Sequence, residues 1–367
     1  MEMLSQQYVA YLLELVKKIN SSLNLHELLE TINQELTDLL KVEASAILVF
    51  DSRDEELYFL QAGQFRGRNV TGIKVPIQGS IAGWVIQHMQ TVYVNDPQHD
   101  PRHYKKIDQY YNFTTKNLAA IPLLVKGKVI GVLEVINKAR DGFDEHDIAF
   151  LAELAHYIAI ALENAKLYES SRNQLKSSFA AFSSAIDKRD SYTHFHSRRV
   201  RDYALVFAAE LNITESQYEH LELAAILHDV GKIGIRDDIL LKPGQLSHDE
   251  YLSIKEHPLK GAEILSLLEG ISGEILQAVR HHHEHWDGNG YPEGLAGEKI
   301  PLLARIVALC DVFDALTTDR PYRRRMKPGD AKKLIMKNKG VMFDPALVDV
   351  FYKTYPDILA KGKFPDN

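Results

Sequence analysis

Apolar positions at Tyr8, Leu12, Leu15, Val16 and Ile19 fall close to helical spacing, with Lys17 and Lys18 on the other side, and predict an amphipathic helix within residues 1–23. From about residue 42 the period changes. ASAILVF and ELYFLQA flank DSRDE, and AIPLLV and VIGVLEVIN flank KGK, which predicts two hairpins, with GIKVPI and TVYVN as further strands. With helices before and after, this segment reads as an α+β domain on an antiparallel sheet. From Asp144 to Asp187 the chain reads as one long helix without Gly or Pro, in which Leu151, Leu154, Ile158, Leu162 and Ala165 form a stripe. Such a stripe needs a partner. A parallel homodimer through this helix and the N-terminal helix is the preferred reading; packing on the chain's own sheet is the alternative.

From Phe179 onward the pattern is one of helices joined by short turns. ESQYEHLELAAILHDVGKIG reads as helical up to Gly231, and LSHDEYLSIKEHP starts with Ser247 three residues before Glu250, the spacing of a capping box. Pro258 suits the first turn of the next helix, and ARIVALCDVFDALT supplies another strongly apolar one. The C-terminal half is therefore expected to be all-α.

At 367 residues with 45% hydrophobic content, the chain can bury the cores of two ordinary domains. The single cysteine, Cys310, excludes a disulfide within the chain and fits a reducing, cytoplasmic compartment. No basic leader with an apolar core opens the sequence, and no run of about eighteen uninterrupted apolar residues occurs, so no membrane partner is expected. A net charge of −7 argues against a nucleic-acid polymer as partner. RPYRRRMK, beginning at Arg320, stands out against that acidic background.

Chemistry concentrates in the C-terminal half. HHHEHWDGNGYP opens at His281, and His196, the pairs His228–Asp229 and His282–His283, His257 and Asp311 all lie on or beside predicted helices. Asp311 falls within an apolar run, where an unpaired carboxylate costs several kcal/mol, so it needs a cation. Imidazoles with carboxylates form a donor set suited to Fe, Mn or Zn rather than Ca or Mg. Neighbouring helical residues diverge by about 100°, so the adjacent pairs are better served by two ions than by one. A carboxylate such as Asp229 can bridge two metals, an arrangement that supports in-line phosphoryl displacement.

Two resemblances cover most of the chain. Residues 24–165, closing in NKARDGFDEHD, resemble a GAF domain; Asn137, Lys138, Phe143 and Asp147 match a pattern of cyclic-nucleotide-binding members, but Ile148 replaces its final acid. HDVGK, KEHP, HHEHWDGNGYP and DVFDALTTDRPYR, in that order, resemble the HD-GYP branch of the HD-domain phosphohydrolases, which cleaves cyclic di-GMP. The implied organisation is an N-terminal helix (1–23), an α+β GAF sensory or dimerisation domain (24–165), a linker helix (166–190) and an all-α HD-GYP domain (175–367). By this resemblance His196, His228, Asp229 and Asp311 hold one metal and Asp229, His257, His282 and His283 another, with Fe ahead of Mn and Zn last. Lys232 stands beside the scissile phosphate. Tyr291, Asp314, Arg320 and Arg323 contact the substrate, and Glu284 orients an imidazole. His281 and His285 carry no assigned role.

The resemblance implies a cyclic di-GMP phosphodiesterase that forms pGpG with a bridging hydroxide, and GMP slowly if at all, regulated by an unknown GAF ligand. The alternatives are a receptor for the nucleotide without turnover and an HD phosphohydrolase acting on another nucleotide. One position departs from the pattern. Where some members carry a Glu that helps to hold a third metal, this chain has Tyr192, so two metals are expected unless Asp190 or His194 substitutes.

Overall fold

The computed structural model describes residues 13–19, 24–51, 55–62, 71–139, 142–189, 195–319 and 324–362. The chain divides into two compact units, Met1–Arg172 and Asn173–Asn367.

The N-terminal unit is built on one six-stranded antiparallel sheet of order β3-β2-β1-β6-β5-β4. Both expected hairpins form: β1 (Val42–Asp51) pairs with β2 (Glu56–Ala62), and β5 (Leu118–Val125) with β6 (Lys128–Lys138). GIKVPI contributes β3 (Lys74–Val75) and TVYVN contributes β4 (Val92–Val94) at the two edges. Alternation along the strands divides their side chains between two cores. On one face Ile47, Val49, Leu133 and Val135 pack with α1 (residues 13–19), α2 (Leu25–Leu40) and the first part of α5 (Glu145–Arg189). On the other face Leu48, Leu118, Val132 and Ile136 pack with α3 (Ile81–His88) and α4 (Lys105–Tyr111).

Helix α5 is continuous over the predicted span. Its stripe of Leu151, Leu154, Ile158, Leu162 and Ala165 is buried against the unit's own sheet and against Leu15 and Ile19 of α1. The stripe therefore has its partner inside the unit. Among the described residues α5 alone has the length and apolar composition of a membrane span, and half of that apolar window is buried.

The residues that echo a nucleotide-binding pattern are occupied structurally. Asn137, with φ 58°, accepts from the Lys116 backbone N–H at 2.7 Å and donates to Glu43 and to the Thr114 carbonyl, both at 2.8 Å. Lys138 pairs with Asp147, whose carboxylate also accepts from the Asp144 N–H at 3.0 Å. These contacts tie the end of β6 to the start of α5.

The C-terminal unit is helical. Around one apolar core pack α6 (His196–Glu210), α7 (Glu215–Leu227), α10 (His257–Ser266), α11 (Gly273–His281), α12 (Leu302–Thr317), α13 (Pro328–Lys337) and α14 (Pro345–Lys361). Two shorter helices, α8 (Asp237–Leu240) and α9 (His248–Lys255), lie between α7 and α10 in the chain. Ser247 forms the predicted capping box with Glu250, and Pro258 stands in the first turn of α10. Helix α7 stops at Leu227, earlier than the apolar pattern suggested, and residues Val230–Gly234 form a 3-10 turn. The reason is local. A Cβ on Gly231 would lie 1.9 Å from the His257 carbonyl oxygen, so the glycine lets this turn lie directly on α10.

If Lys138 and Asp147 are structural, Asp147→Ala should cost the N-terminal unit about 2 kcal/mol by leaving a half-buried ammonium unpaired. Denaturant unfolding followed in that unit measures this, and an unchanged midpoint would reject the assignment.

Candidate metal centre

The candidate ligands sit at helix ends and on one helix interior. His196 opens α6 and His257 opens α10, while His228 and His282 cap the C-terminal ends of α7 and α11. Asp229 precedes the 3-10 turn, His283 follows His282, and Asp311 lies within α12. The adjacent pairs thus straddle helix termini instead of lying within helices, which frees both members to turn inward.

A repeated contact fixes the orientation of three imidazoles. Nδ1 of His228 lies 2.9 Å from the Ala225 carbonyl oxygen, Nδ1 of His257 2.8 Å from that of Ile254, and Nδ1 of His282 2.7 Å from that of Val279. A carbonyl can only accept, so each Nδ1 carries the proton and each Nε2 presents a lone pair. Nδ1 of His196 likewise faces an acceptor, Asp314 Oδ2 at 2.7 Å, which fixes that ring.

These lone pairs converge. Nε2 of His257 is 3.3 Å from Nε2 of His282, and Nε2 of His196 is 3.2 Å from Nε2 of His228. Two unprotonated nitrogens at that distance repel unless a proton or a metal ion lies between them. Asp229 reaches both sets, with Oδ2 3.4 Å from His228 Nε2 and 3.7 Å from His196 Nε2, and Oδ1 3.3 Å from His257 Nε2. Asp311 Oδ1 is 3.3 Å from His196 Nε2. Two groups result, His196–His228–Asp229 and His257–His282–His283, in each of which the donor atoms lie within 4.8 Å of one another. Donors about 2.1 Å from a transition metal stand about 3.0–3.4 Å apart on the edge of a coordination polyhedron. Most of the observed separations fall close to that range, so the residues present fit divalent metals.

The electrostatics divide the same way. Burial opposes the proton on His196, but hydrogen bonds to Asp311 and Asp314 outweigh it and push its pKa up to about 10. Burial and the neighbouring imidazoles push His283 down to about 3 and hold His282 well below the ordinary histidine range. Burial works against the charge on Asp229, yet Lys232, His228 and His257 hold its carboxyl well below the usual range. Lys232 Nζ stands 2.8 Å from Asp229 Oδ2. The ionised Asp229 and the neutral His257, His282 and His283 are already in the state a metal requires, whereas a metal held at His196 and His228 would have to displace protons that the neighbouring acids favour.

Two expected roles are corrected. Asp314, expected to contact substrate, is fully buried; its carboxylate receives His196 Nδ1 at 2.7 Å and Arg199 Nε and Nη2 at 2.6 and 2.9 Å. It orients a candidate ligand instead. Glu284, expected to orient an imidazole, accepts the backbone N–H groups of Glu293, Gly294 and Leu295 at 2.8, 3.1 and 3.1 Å. It clamps the loop that follows the cis Tyr291–Pro292 bond. His281 assists through Glu293 Oε2 at 3.2 Å and lies outside both ligand groups. Tyr291 stacks on His283 with ring centroids 4.8 Å apart, and Lys255 Nζ, not anticipated from the sequence, stands 4.7 Å from the Tyr291 ring centre. The signal for Lys255 was its place in KEHP, two residues before His257. Arg320, Arg323, Asp190, Tyr192 and His194 lie outside the described residues.

Family models match both halves of the chain. Residues 180–347 match the family model of the HD domain and residues 24–162 that of the GAF domain. This chain joins a GAF domain to an HD domain. Its HD half resembles the cyclic di-GMP phosphodiesterase response regulator RpfG of Xanthomonas campestris pv. campestris, 44% identical over 171 residues, 46% of this chain and 45% of that protein. It also resembles cyclic di-GMP phosphodiesterase PA4108 of Pseudomonas aeruginosa, 40% identical over 164 residues, 45% of this chain and 39% of that protein. The 3'3'-cGAMP-specific phosphodiesterase 2 of Vibrio cholerae is 33% identical over 224 residues, 60% of this chain and 43% of that protein. The chain spans under half the length of each of these curated relatives.

The contact between Asp314 and His196 in the HD domain is testable. Asp314→Asn should weaken metal affinity roughly 10–100-fold by releasing the His196 ring. Metal occupancy under chelator competition reads this out, and wild-type occupancy with an intact helical spectrum would show that Asp314 does not orient the ligand.

Proposed function

We propose that this chain is a metal-dependent phosphodiesterase that opens cyclic di-GMP to pGpG. The observation that carries the reading is the convergence of three imidazoles, His196, His228 and His257, on the two oxygens of Asp229, with His282 Nε2 beside that of His257. In this reading His196, His228, Asp229 and Asp311 hold one metal, and Asp229, His257, His282 and His283 the other, with Fe preferred, then Mn, then Zn. When bound, such a pair supplies Lewis acidity toward a phosphoryl oxygen and an activated water.

The chain's own groups do the rest. Lys232, whose ammonium is held at Asp229, offers a point charge to a phosphate brought up to the centre. Tyr291, stacked on His283 beneath the Lys255 ammonium, presents an aromatic face and a positive charge beside the second ligand group. Arg320 and Arg323 are assigned to the substrate's phosphates for the bidentate geometry of their guanidinium groups. With Tyr192 in place of an acid, two metals per chain and pGpG as the main product are the expectation. The GAF domain is assigned a regulatory role and the chain a cytoplasmic place. Homodimerisation through the linker helix is favoured by exposed Tyr168, Leu175 and Phe182, which recur every seventh residue along α5.

A second reading has a specific observation behind it, the similarity to a Vibrio cholerae enzyme specific for 3'3'-cGAMP. In that reading the same centre opens a different cyclic dinucleotide. Purified protein loaded anaerobically with Fe or Mn, assayed against both dinucleotides with product analysis by chromatography, separates the two. The first reading requires a higher kcat/KM for cyclic di-GMP. Preference for 3'3'-cGAMP would move the assignment to the second, and no turnover of either, with metal bound, would leave a receptor.

Because Asp229 faces both ligand groups, Asp229→Ala should strip both metals together and lower turnover on the order of a thousandfold. Retention of one metal at full occupancy would refute a bridging role. Arg320→Ala and Arg323→Ala should each raise KM about tenfold or more without changing metal content. Unchanged kinetics in both would return that segment to a solvated basic surface.

A further inference from the structure

Helix α5 ends on an arginine whose hydrogen bonds go to the chain just beyond Asp229. Nη1 of Arg189 donates to the carbonyls of Lys232 at 3.2 Å and Ile233 at 3.0 Å, and Nη2 donates to the carbonyl of Ile235 at 2.8 Å. Nε donates to Asp237 Oδ1 at 2.8 Å. The carbonyls close the 3-10 turn Val230–Gly234, where main-chain acceptors run short of helical donors. A planar guanidinium serves several acceptors at once in one fixed geometry, and an ammonium does not.

These bonds are not what holds α5 in place. Ile186 is buried in the core of the HD domain, the Ser183 hydroxyl donates to the Ile226 carbonyl at 2.7 Å, and Asp187 accepts the Ser197 N–H and hydroxyl at 3.2 and 3.0 Å. The ion pair with Asp237, whose side chain is 67% exposed, adds little stability. What the guanidinium fixes is the turn. Ahead of it Asp229 follows directly on the end of α7, and Gly231 rests on α10. Beyond it the Lys260 ammonium from α10 donates to the Gly234 carbonyl at 3.3 Å. Between these anchors stands Lys232, with Nζ 2.8 Å from Asp229 Oδ2.

We propose that Arg189 is a positioning residue for Lys232. Its guanidinium holds the second half of the turn, and so sets where the Lys232 ammonium stands against Asp229 and against a phosphate brought up to the centre. The part played toward a phosphate rests on the phosphodiesterase reading above; the hold on Lys232 does not. The acceptors of Arg189 all lie after Gly231, so its loss should release Lys232 while leaving the ligand Asp229 where it is.

The test has one arm without turnover and one with it. In the first, the full chain without added metal is acetylated with limiting acetic anhydride and read lysine by lysine by mass spectrometry. Lys232, held on Asp229, should label about tenfold faster in Arg189→Ala, the loss of one charge-assisted hydrogen bond. Lys176, paired with Glu222 at 2.7 Å elsewhere in the domain, should label at the wild-type rate. In the second arm, Arg189→Ala should lower kcat for cyclic di-GMP about tenfold or more at unchanged metal content. Added to Lys232→Ala, it should cost nothing further, because its effect runs through that ammonium. Arg189→Lys keeps the charge without the fork and should follow Arg189→Ala in both arms; it carries the test if the alanine variant does not fold. If the wild-type chain does not turn over cyclic di-GMP, the assigned reaction fails and labelling alone decides the hold on Lys232. Unchanged labelling of Lys232, equally faster labelling of Lys176, loss of metal, additive losses in the double variant, or wild-type behaviour of Arg189→Lys would each overturn the proposal.

Discussion

Three histidines of the HD domain are fixed by one device: the ring takes the carbonyl oxygen three residues back. His228 uses Ala225, His257 uses Ile254 and His282 uses Val279. Two of these carbonyls belong to the last turn of a helix, where they have no intrahelical donor. The helix terminus therefore supplies the acceptor that sets the tautomer, and the tautomer aims Nε2 inward. The rest of the centre depends on that choice. Were Nδ1 unprotonated, the neutral ring would carry its proton on Nε2 and have no lone pair to present there.

With the tautomers set, the surrounding charges follow from burial. Asp314 and Arg199 hold the one imidazole whose Nδ1 lacks a carbonyl, so His196 is oriented by an ion pair drawn from α12 and α6 in place of a helix end. Gly231 lets the Asp229–Lys232 turn lie against α10, which brings the Asp229 carboxylate to 3.3 Å from His257. Glu284 closes the loop behind His283 through three backbone donors, and that loop carries Tyr291 onto the imidazole. Asp314, Arg199 and Glu284 are thus spent on positioning a candidate ligand or the loop beside one.

Much of this was legible in the sequence because the chemistry is local. His228–Asp229, His282–His283, His257 and Asp311 stand in short motifs, and an acid within an apolar helix announces itself by cost alone. The strands were legible from alternation and the α9 start from its capping box. Asp314 and Glu284 were misread because their roles are set by distance in space: Asp314 meets His196 across 118 positions, and Glu284 meets a loop backbone that has no side-chain signature. The stripe on α5 was legible as apolar, but periodicity cannot say whether a sheet of the same chain or a second helix will cover it.

The carboxylate of Asp229 is the group that turns a set of buried histidines into a candidate centre. Around it the chain assembles His228 from the end of α7, His257 from α10 and Lys232 from its own turn, and these overcome burial and keep the acid ionised. Without those partners burial would favour the protonated acid, which cannot hold a metal.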